Sequence, residues 1–149
     1  MELILWRHAD APPGYPDSDR TLSPAGRRQA EAMAAWLKAR LPADYDLIVS
    51  PATRAQETAQ ALGFAAYRTD VAVGTAATPE EVLQKVGWPY GDQTVVVVGH
   101  QPTLGAAAAL ALTGRTSGWP VGTCSIWWLA RGEHQRETVV RAVLGPDLL

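Results

Sequence analysis

Three apolar runs in this chain stop in the same way. "LILW" ends in Arg7-His8, "DLIV" passes into Ser50 with Arg54 close behind, and "TVVVV" ends in Gly99-His100. Runs of this kind, without polar alternation, suit strands buried on both faces of a parallel sheet. In an open parallel sheet the carboxyl ends of the strands share one edge, and ligands bind in the crevice there. The three endings are therefore expected to converge, although they are far apart in the chain.

What lies between the runs supports that sheet. Ala30, Met33, Ala34, Leu37 and Leu41 recur with helical spacing, predicting a helix over about residues 24 to 40, with Ser23 as N-cap, Pro24 in the first helical position and Pro42 as a stop. Ser50-Pro51 repeats that cap-and-proline signature and predicts a second helix from there to about Leu62. "AYRTDVAV" reads as a weak strand and "TPEEVLQKV" as a short helix capped by Thr78, with Glu80 and Glu81 as first-turn acids. Gln101-Pro102 is expected to open an Ala-rich helix ending near Gly114. "TCSIWWLA" and "RETVVRAVL" look like closing strands around the polar turn "RGEH", in which His134 is expected to be solvated. The alternation predicts a three-layer α/β/α sandwich with a mainly parallel sheet and an antiparallel edge. At 149 residues, a single domain over 1–149 is the expectation.

Composition removes several function classes. The net charge of −2 lacks the basic excess that captures nucleic acid or an acidic membrane surface. "TVVVVG" and "LGAAAALAL" are far shorter than the roughly 20 residues needed to cross a bilayer, and "MELILWRHAD" has no basic segment before its apolar run. A cytoplasmic location is the simplest expectation. Cys124 is the only cysteine, so neither an internal disulfide nor a cysteine-based zinc site can form. Nor does it fit the Cys-x5-Arg loop of cysteine phosphatases, because Arg131 falls one position late, and a buried structural thiol on a strand is expected. Trp127 and Trp128 should point to opposite faces of that strand, Trp36 should pack beside its apolar helix face, and Trp119 is a candidate for a surface or partner site.

The polar endings have a chemistry. Arg54 lies in a helical first turn, and helical Cα–Cβ bonds tilt toward the N-terminus, so its guanidinium can return to the strand edge. With Arg7 it would present two permanently charged planar forks to a tetrahedral oxyanion, assisted by the helix N-termini expected at Pro51 and Pro102. Phosphate is the predicted ligand. His8, His100 and Asp10 are also a conceivable metal-ligand set, but two fixed positive charges in the same crevice oppose a divalent cation. A neutral imidazole beside a phosphoryl group can attack phosphorus in line, and a second imidazole can hydrogen-bond the transferring oxygens, so no cofactor is required.

These residues resemble the histidine phosphatase (phosphoglycerate mutase-like) superfamily. "LWRHADA" is similar to its strand-end Arg-His-Gly motif, "LSPAGRRQA" to its Leu-Thr-x-x-Gly helix start, "VSPATRAQETA" to its Ser-x-x-x-Arg-x-x-x-Thr helix, and "VVVVGHQPTL" to its second Gly/Ser-His motif. The motifs occur in family order between Leu3 and about Leu112. The resemblance implies His8 as nucleophile, Arg7 and Arg54 as phosphate clamps and His100 as the stabilising imidazole. Arg20 resembles a further phosphate-contacting arginine of the small SixA-type phosphohistidine phosphatases. An arginine in an Asp-rich loop is equally suited to pairing with Asp17 or Asp19.

Two departures bear on substrate. Ala9 replaces the glycine usual after the histidine, as in SixA-type relatives. The glutamate general acid of many phosphomonoesterases in the family has no counterpart in "TDVAVGTAAT". Asp10 or Asp17 could serve as an acid, the plainer reading being turn-forming loop aspartates. A phosphohistidine tolerates a missing acid because imidazole is a better leaving group than an alkoxide. The short span from Phe64 to Gln93 leaves no room for a cap over the crevice. The implied activity is therefore a phosphohistidine phosphatase acting on a signalling protein such as a phosphotransfer domain, without cofactor or metal. The alternatives are a small-molecule phosphomonoesterase and a non-catalytic phosphate-binding module.

Overall fold

The computed structural model describes residues 1–63, 66–132, 134 and 136–149. Its six strands are β1 (Glu2–Arg7), β2 (Asp46–Val49), β3 (Arg68–Thr69), β4 (Thr94–Gly99), β5 (Ile126–Ala130) and β6 (Val139–Leu144). Four helices accompany them: α1 (Pro24–Lys38), α2 (Thr53–Gln60), α3 (Pro79–Val86) and α4 (Thr103–Thr113). The strands form one sheet in the order β3-β2-β4-β1-β5-β6. β3, β2, β4 and β1 run parallel, while β5 and β6 close one edge antiparallel. This is the expected mixed sheet.

Each face of the sheet carries its own apolar layer. Ile4, Trp6, Val49, Val96 and Val98 pack with Ala30, Met33 and Leu37 of α1 and Ala55 of α2. Leu3, Leu5, Ile48, Val95 and Val97 pack with Val82 and Val86 of α3 and with Leu104 and Ala108 of α4. Alternate residues of the same strands thus serve opposite layers, which is why β1, β2 and β4 are apolar without interruption. Trp127 and Trp128 follow the same rule. Trp128 meets Trp36 edge-on at 6.2 Å, and Trp127 stacks on Trp119 at 5.4 Å, so Trp119 is a packing residue on that side.

The register aligns the reactive strand ends. Arg7 stands opposite Gly99, and Val49 opposite Val98. Just beyond, His8 N donates to Gly99 O (3.1 Å) and Ser50 N donates to Val98 O (3.0 Å).

Two helix starts match their signatures. Ser23 Oγ accepts from Gly26 N at 2.9 Å, and Thr78 and Glu81 form a reciprocal capping box. Gly26 is also required sterically, because a Cβ there would meet the carbonyl of Asp10. Two other starts differ from expectation. α2 begins at Thr53 with Ala52 as N-cap, because the Ser50 hydroxyl is bonded to Ala52 N at 3.2 Å in a local turn instead of capping a helix. α4 begins at Thr103 with Pro102 in the cap position, and Gly105 N is taken by Gln101 Oε1 at 2.6 Å. Part of the anion-binding capacity expected of that helix end is therefore already used.

Cys124 is a further correction. It is fully buried as expected, but it lies before β5, in a turn where its φ is +58°. Its backbone holds the site strand: Cys124 N donates to His8 O (3.1 Å), and Trp6 Nε1 donates to Cys124 O (3.1 Å). Burial raises the thiol pKa to about 12, so no thiolate is available as a nucleophile. Of the closing turn, His134 is exposed, while Glu133 lies outside the described residues.

Candidate active site

At the carboxyl edge of the sheet the rings of His8 and His100 lie 5.2 Å apart, centroid to centroid. His8 Nδ1 is 2.7 Å from Ala9 O. A carbonyl only accepts, so this contact puts the ring proton on Nδ1 and leaves the lone pair on Nε2. Arg54 Nε donates to that Nε2 at 3.3 Å. The nitrogen able to attack phosphorus thus sits against a cation suited to a phosphoryl oxygen.

Both imidazoles are held neutral. The His8 pKa falls to about 4, first through burial and then through the positive charges of Arg54, Arg7 and Arg20, against a raising contribution from Ala9 O. That of His100 falls to about 3, through burial, then His8 and Arg54, with Asp17 acting in the opposite sense. A nucleophilic histidine needs an unprotonated nitrogen, and this environment supplies one at neutral pH.

Arg54 is 5% exposed, which fixes the guanidinium from α2. Its placement depends on Thr58, one turn later on the same helix face. Thr58 Oγ1 donates to Arg54 O (2.8 Å) and accepts from Ala9 N (3.0 Å), linking the loop after His8 to the helix bearing Arg54. Arg7 Nη1 donates to Val121 O at 2.9 Å, while its buried Nε has no partner among the described residues, a donor suited to an anion.

His100 is likewise 5% exposed, and its Nε2 pairs with Ser50 Oγ at 2.7 Å. Thr58 was legible only as a letter of a helix motif, and Ser50 as a strand ending and candidate cap, not as the partner of His100. Their roles follow from burial: both are fully enclosed polar side chains, so each must find a partner, and each bonds a residue of the site.

Arg7, His8, Arg54 and His100 are brought together. Arg20 stands differently. Its Nε donates to Pro12 O (3.0 Å), Nη2 to Ala11 O (2.6 Å) and Nη1 to Asp17 Oδ1 (3.1 Å), so it braces the loop between β1 and α1. The pairing with Asp17 is the plainer of the two expectations. Asp17 also reaches Arg54: its backbone oxygen accepts from Nη1 (2.9 Å), and Oδ2 from Nη2 (3.2 Å).

Neither loop aspartate is placed as a proton donor. The Arg20 hydrogen bond and the Arg54 charge hold the Asp17 carboxyl below the usual carboxylate range, so it is ionised when an acid would be needed. Asp10 Oδ2 accepts from Ser23 Oγ at 2.5 Å, at the start of α1. Among the described residues, no three His, Cys, Asp or Glu side chains gather as a metal-holding group.

Ser50, the partner of His100, borders a cleft of about 240 Å³ that is lined also by Asp17, Pro51, Val71, Thr75 and Ala76. Among the described lining residues, Asp17 alone is charged, and a group bound there would meet mainly apolar surface and hydroxyls.

Residues 3–73 match the model of the histidine phosphatase superfamily (branch 1). An uncharacterized protein of Mycobacterium tuberculosis is 39% identical over 106 residues, spanning 68% of this chain and 66% of that relative, just under two thirds of its length. Among solved structures, the protein histidine phosphatase SixA complexed with tungstate superimposes with a TM-score of 0.86, at 22% identity and 99% coverage of both chains. A protein assigned as the SixA phosphohistidine phosphatase of Nakamurella multipartitia gives a TM-score of 0.77, at 29% identity, covering 97% of this chain and 95% of its own.

Proposed function

The chain belongs to the histidine phosphatase superfamily, branch 1, with a SixA-like fold, and from that premise we propose that it hydrolyses phosphohistidine on a partner protein through a phosphoryl intermediate on His8. The observation that carries the chemistry is the Nδ1 contact of His8 with Ala9 O, which leaves the Nε2 lone pair beside Arg54. Nε2 attacks phosphorus, the P–N bond to the substrate imidazole breaks, and that imidazole takes its proton from water. Water then attacks the His8 phosphoryl group, releasing inorganic phosphate and restoring the neutral ring. Arg54, Arg7 and His100 stabilise the charge spread over the transferring oxygens.

Two features support phosphohistidine over an ester. Among the described residues, the candidate donors Asp17 and Asp10 are held by Arg20, Arg54 and Ser23, and the adjoining cleft is lined by apolar groups, hydroxyls and Asp17. The Nakamurella protein, itself assigned as a phosphohistidine phosphatase, has the same fold. A phosphotransfer domain of a histidine kinase is the partner proposed. Among the described residues, no helix is long and apolar enough to cross a membrane.

Phosphorus NMR of a mixed panel tests this. A phosphohistidine protein should be cleaved with kcat/KM roughly 100-fold or more above phosphoserine, sugar phosphates and nucleotides, since a missing general acid costs an ester about that much. Efficient turnover of an ester with none of phosphohistidine would establish the phosphomonoesterase instead. Phosphate binding without turnover would leave a binding module.

The histidine environment gives a second test, free of substrate. In a pH titration followed by imidazole carbon NMR, His8 should remain neutral down to a midpoint of about 4. A midpoint near 6.5 would remove the case for a neutral nucleophile. The linkage has a definite sign, because the unfolded chain takes up these protons near pH 6.5 and the folded chain only near 4 and 3. The stability due to the neutral pair is complete above 6.5 and is lost as pH falls through those folded-state values.

A further inference from the structure

Arg54 has no free nitrogen. Nε faces His8 Nε2, Nη1 donates to Asp17 O and Nη2 to Asp17 Oδ2. The other carboxylate oxygen of Asp17 accepts from Arg20 Nη1. One carboxylate therefore bridges two guanidinium groups, each through a separate oxygen, as an oxyanion would.

The two sides of this bridge differ in mobility. Arg54 has a side chain only 6% exposed, whereas that of Asp17 is 62% exposed. Asp17 opens a single 3-10 turn, residues Asp17–Asp19, which buries no residue and has no side-chain cap. Moving that turn outward disrupts little packing, whereas moving Arg54 would unseat α2. When a phosphoryl group arrives at His8, Asp17 is the group that yields.

The geometry points to Asp17 as a resident competitor for the phosphoryl clamp, a residue that weakens the hold on product phosphate and so promotes its release. This rests on the reading of Arg54 as that clamp. A phosphoryl dianion brings more charge and more acceptor oxygens than one carboxylate, so substrate displaces it. Once phosphate is freed from His8, the carboxylate competes for Arg54 again and repels the departing anion. Asp17 acts here through Arg54 and is a positioning residue.

A purely bracing role predicts the opposite sign. If Asp17 only held Arg54 in place, its removal would loosen the clamp and weaken anion binding. Calorimetric titration of the full chain with inorganic phosphate, paired with phosphate inhibition of turnover, separates the two. In Asp17→Asn the carboxylate charge is gone while the backbone oxygen still holds Nη1. Phosphate should bind roughly 10-fold more tightly and inhibit at correspondingly lower concentration, a modest gain because the carboxylate is exposed and screened. Asp17→Ser should behave like Asp17→Asn, and Asp17→Glu should return affinity toward that of the unaltered chain.

Unchanged or weaker phosphate binding in both neutral variants would overturn the competitor role while leaving the clamp assignment intact. If phosphate binds to no form of the protein, and turnover is also absent, the clamp assignment itself fails and the competitor role falls with it.

Discussion

On the proposed reaction, His8→Ala should remove turnover of phosphohistidine and the acid-labile phosphoenzyme together, with kcat/KM falling on the order of 10⁴-fold or more. The size follows from what is lost: without Nε2 the phosphoryl group has no covalent acceptor, and water must attack the substrate directly. What is kept makes the test clean. His8 N still donates to Gly99 O, and His8 O still accepts from Cys124 N, because both are backbone bonds. Arg7 and Arg54 also remain, so the variant should fold and bind inorganic phosphate. Quenched-flow trapping with labelled phosphohistidine protein reads both steps. A variant that keeps a tenth of normal turnover would show that the nucleophile lies elsewhere.

Arg54→Ala has the next largest effect, a loss of about 10³-fold in kcat/KM, in the range found when an oxyanion donor is removed. Arg54 touches His8 Nε2 and is carried by α2, so a phosphoryl group on that nitrogen would meet it where the new bond forms. Arg54→Lys should recover only a small part of the activity, because an ammonium is a point charge and cannot offer the planar fork. Arg54→Ala leaves the Asp17 carboxylate without its Arg54 partner, so thermal melting should accompany the kinetics. A loss below 10-fold in a well-folded Arg54→Ala protein would assign the clamp to Arg7 alone.

How far the residues announce this arrangement depends on the range of the interaction that decides each element. The convergence of Arg7-His8, Ser50 and Gly99-His100 was legible, because a residue just past a buried parallel strand has one place to go. The starts of α1 and α3 were legible for a local reason: Ser23 and Thr78 find their partners within three residues. Ser50-Pro51 carries the same signature and fails, because the Ser50 hydroxyl answers to His100 from another strand as well as to Ala52 N. Local spacing cannot reveal that competition.

The loop from Asp10 to Thr21 was opaque for a different reason. It has no apolar period, and its shape is set by Arg20 and Arg54 pulling on main-chain oxygens and on Asp17. The joint pairing of one aspartate with two arginines was therefore hidden, although both arginines were in view. Cys124 misled through alternation, since an apolar residue in a tight turn beside a strand looks like part of that strand.

The seating of β1 sets the order in which the molecule becomes competent during its manufacture. Arg7 N donates to Ser125 O, Arg7 Nη1 to Val121 O, Trp6 Nε1 to Cys124 O, and Cys124 N to His8 O. All four bonds reach from the first strand to a segment made more than a hundred residues later. A ribosome that has completed α4 has already polymerised Arg7, His8, Arg54 and His100, yet β1 still lacks one of its two neighbours. Residues 6–8 are thus seated only after the segment 121–125 has been made, and a chain ending at Gly114 would leave that side of β1 unpaired.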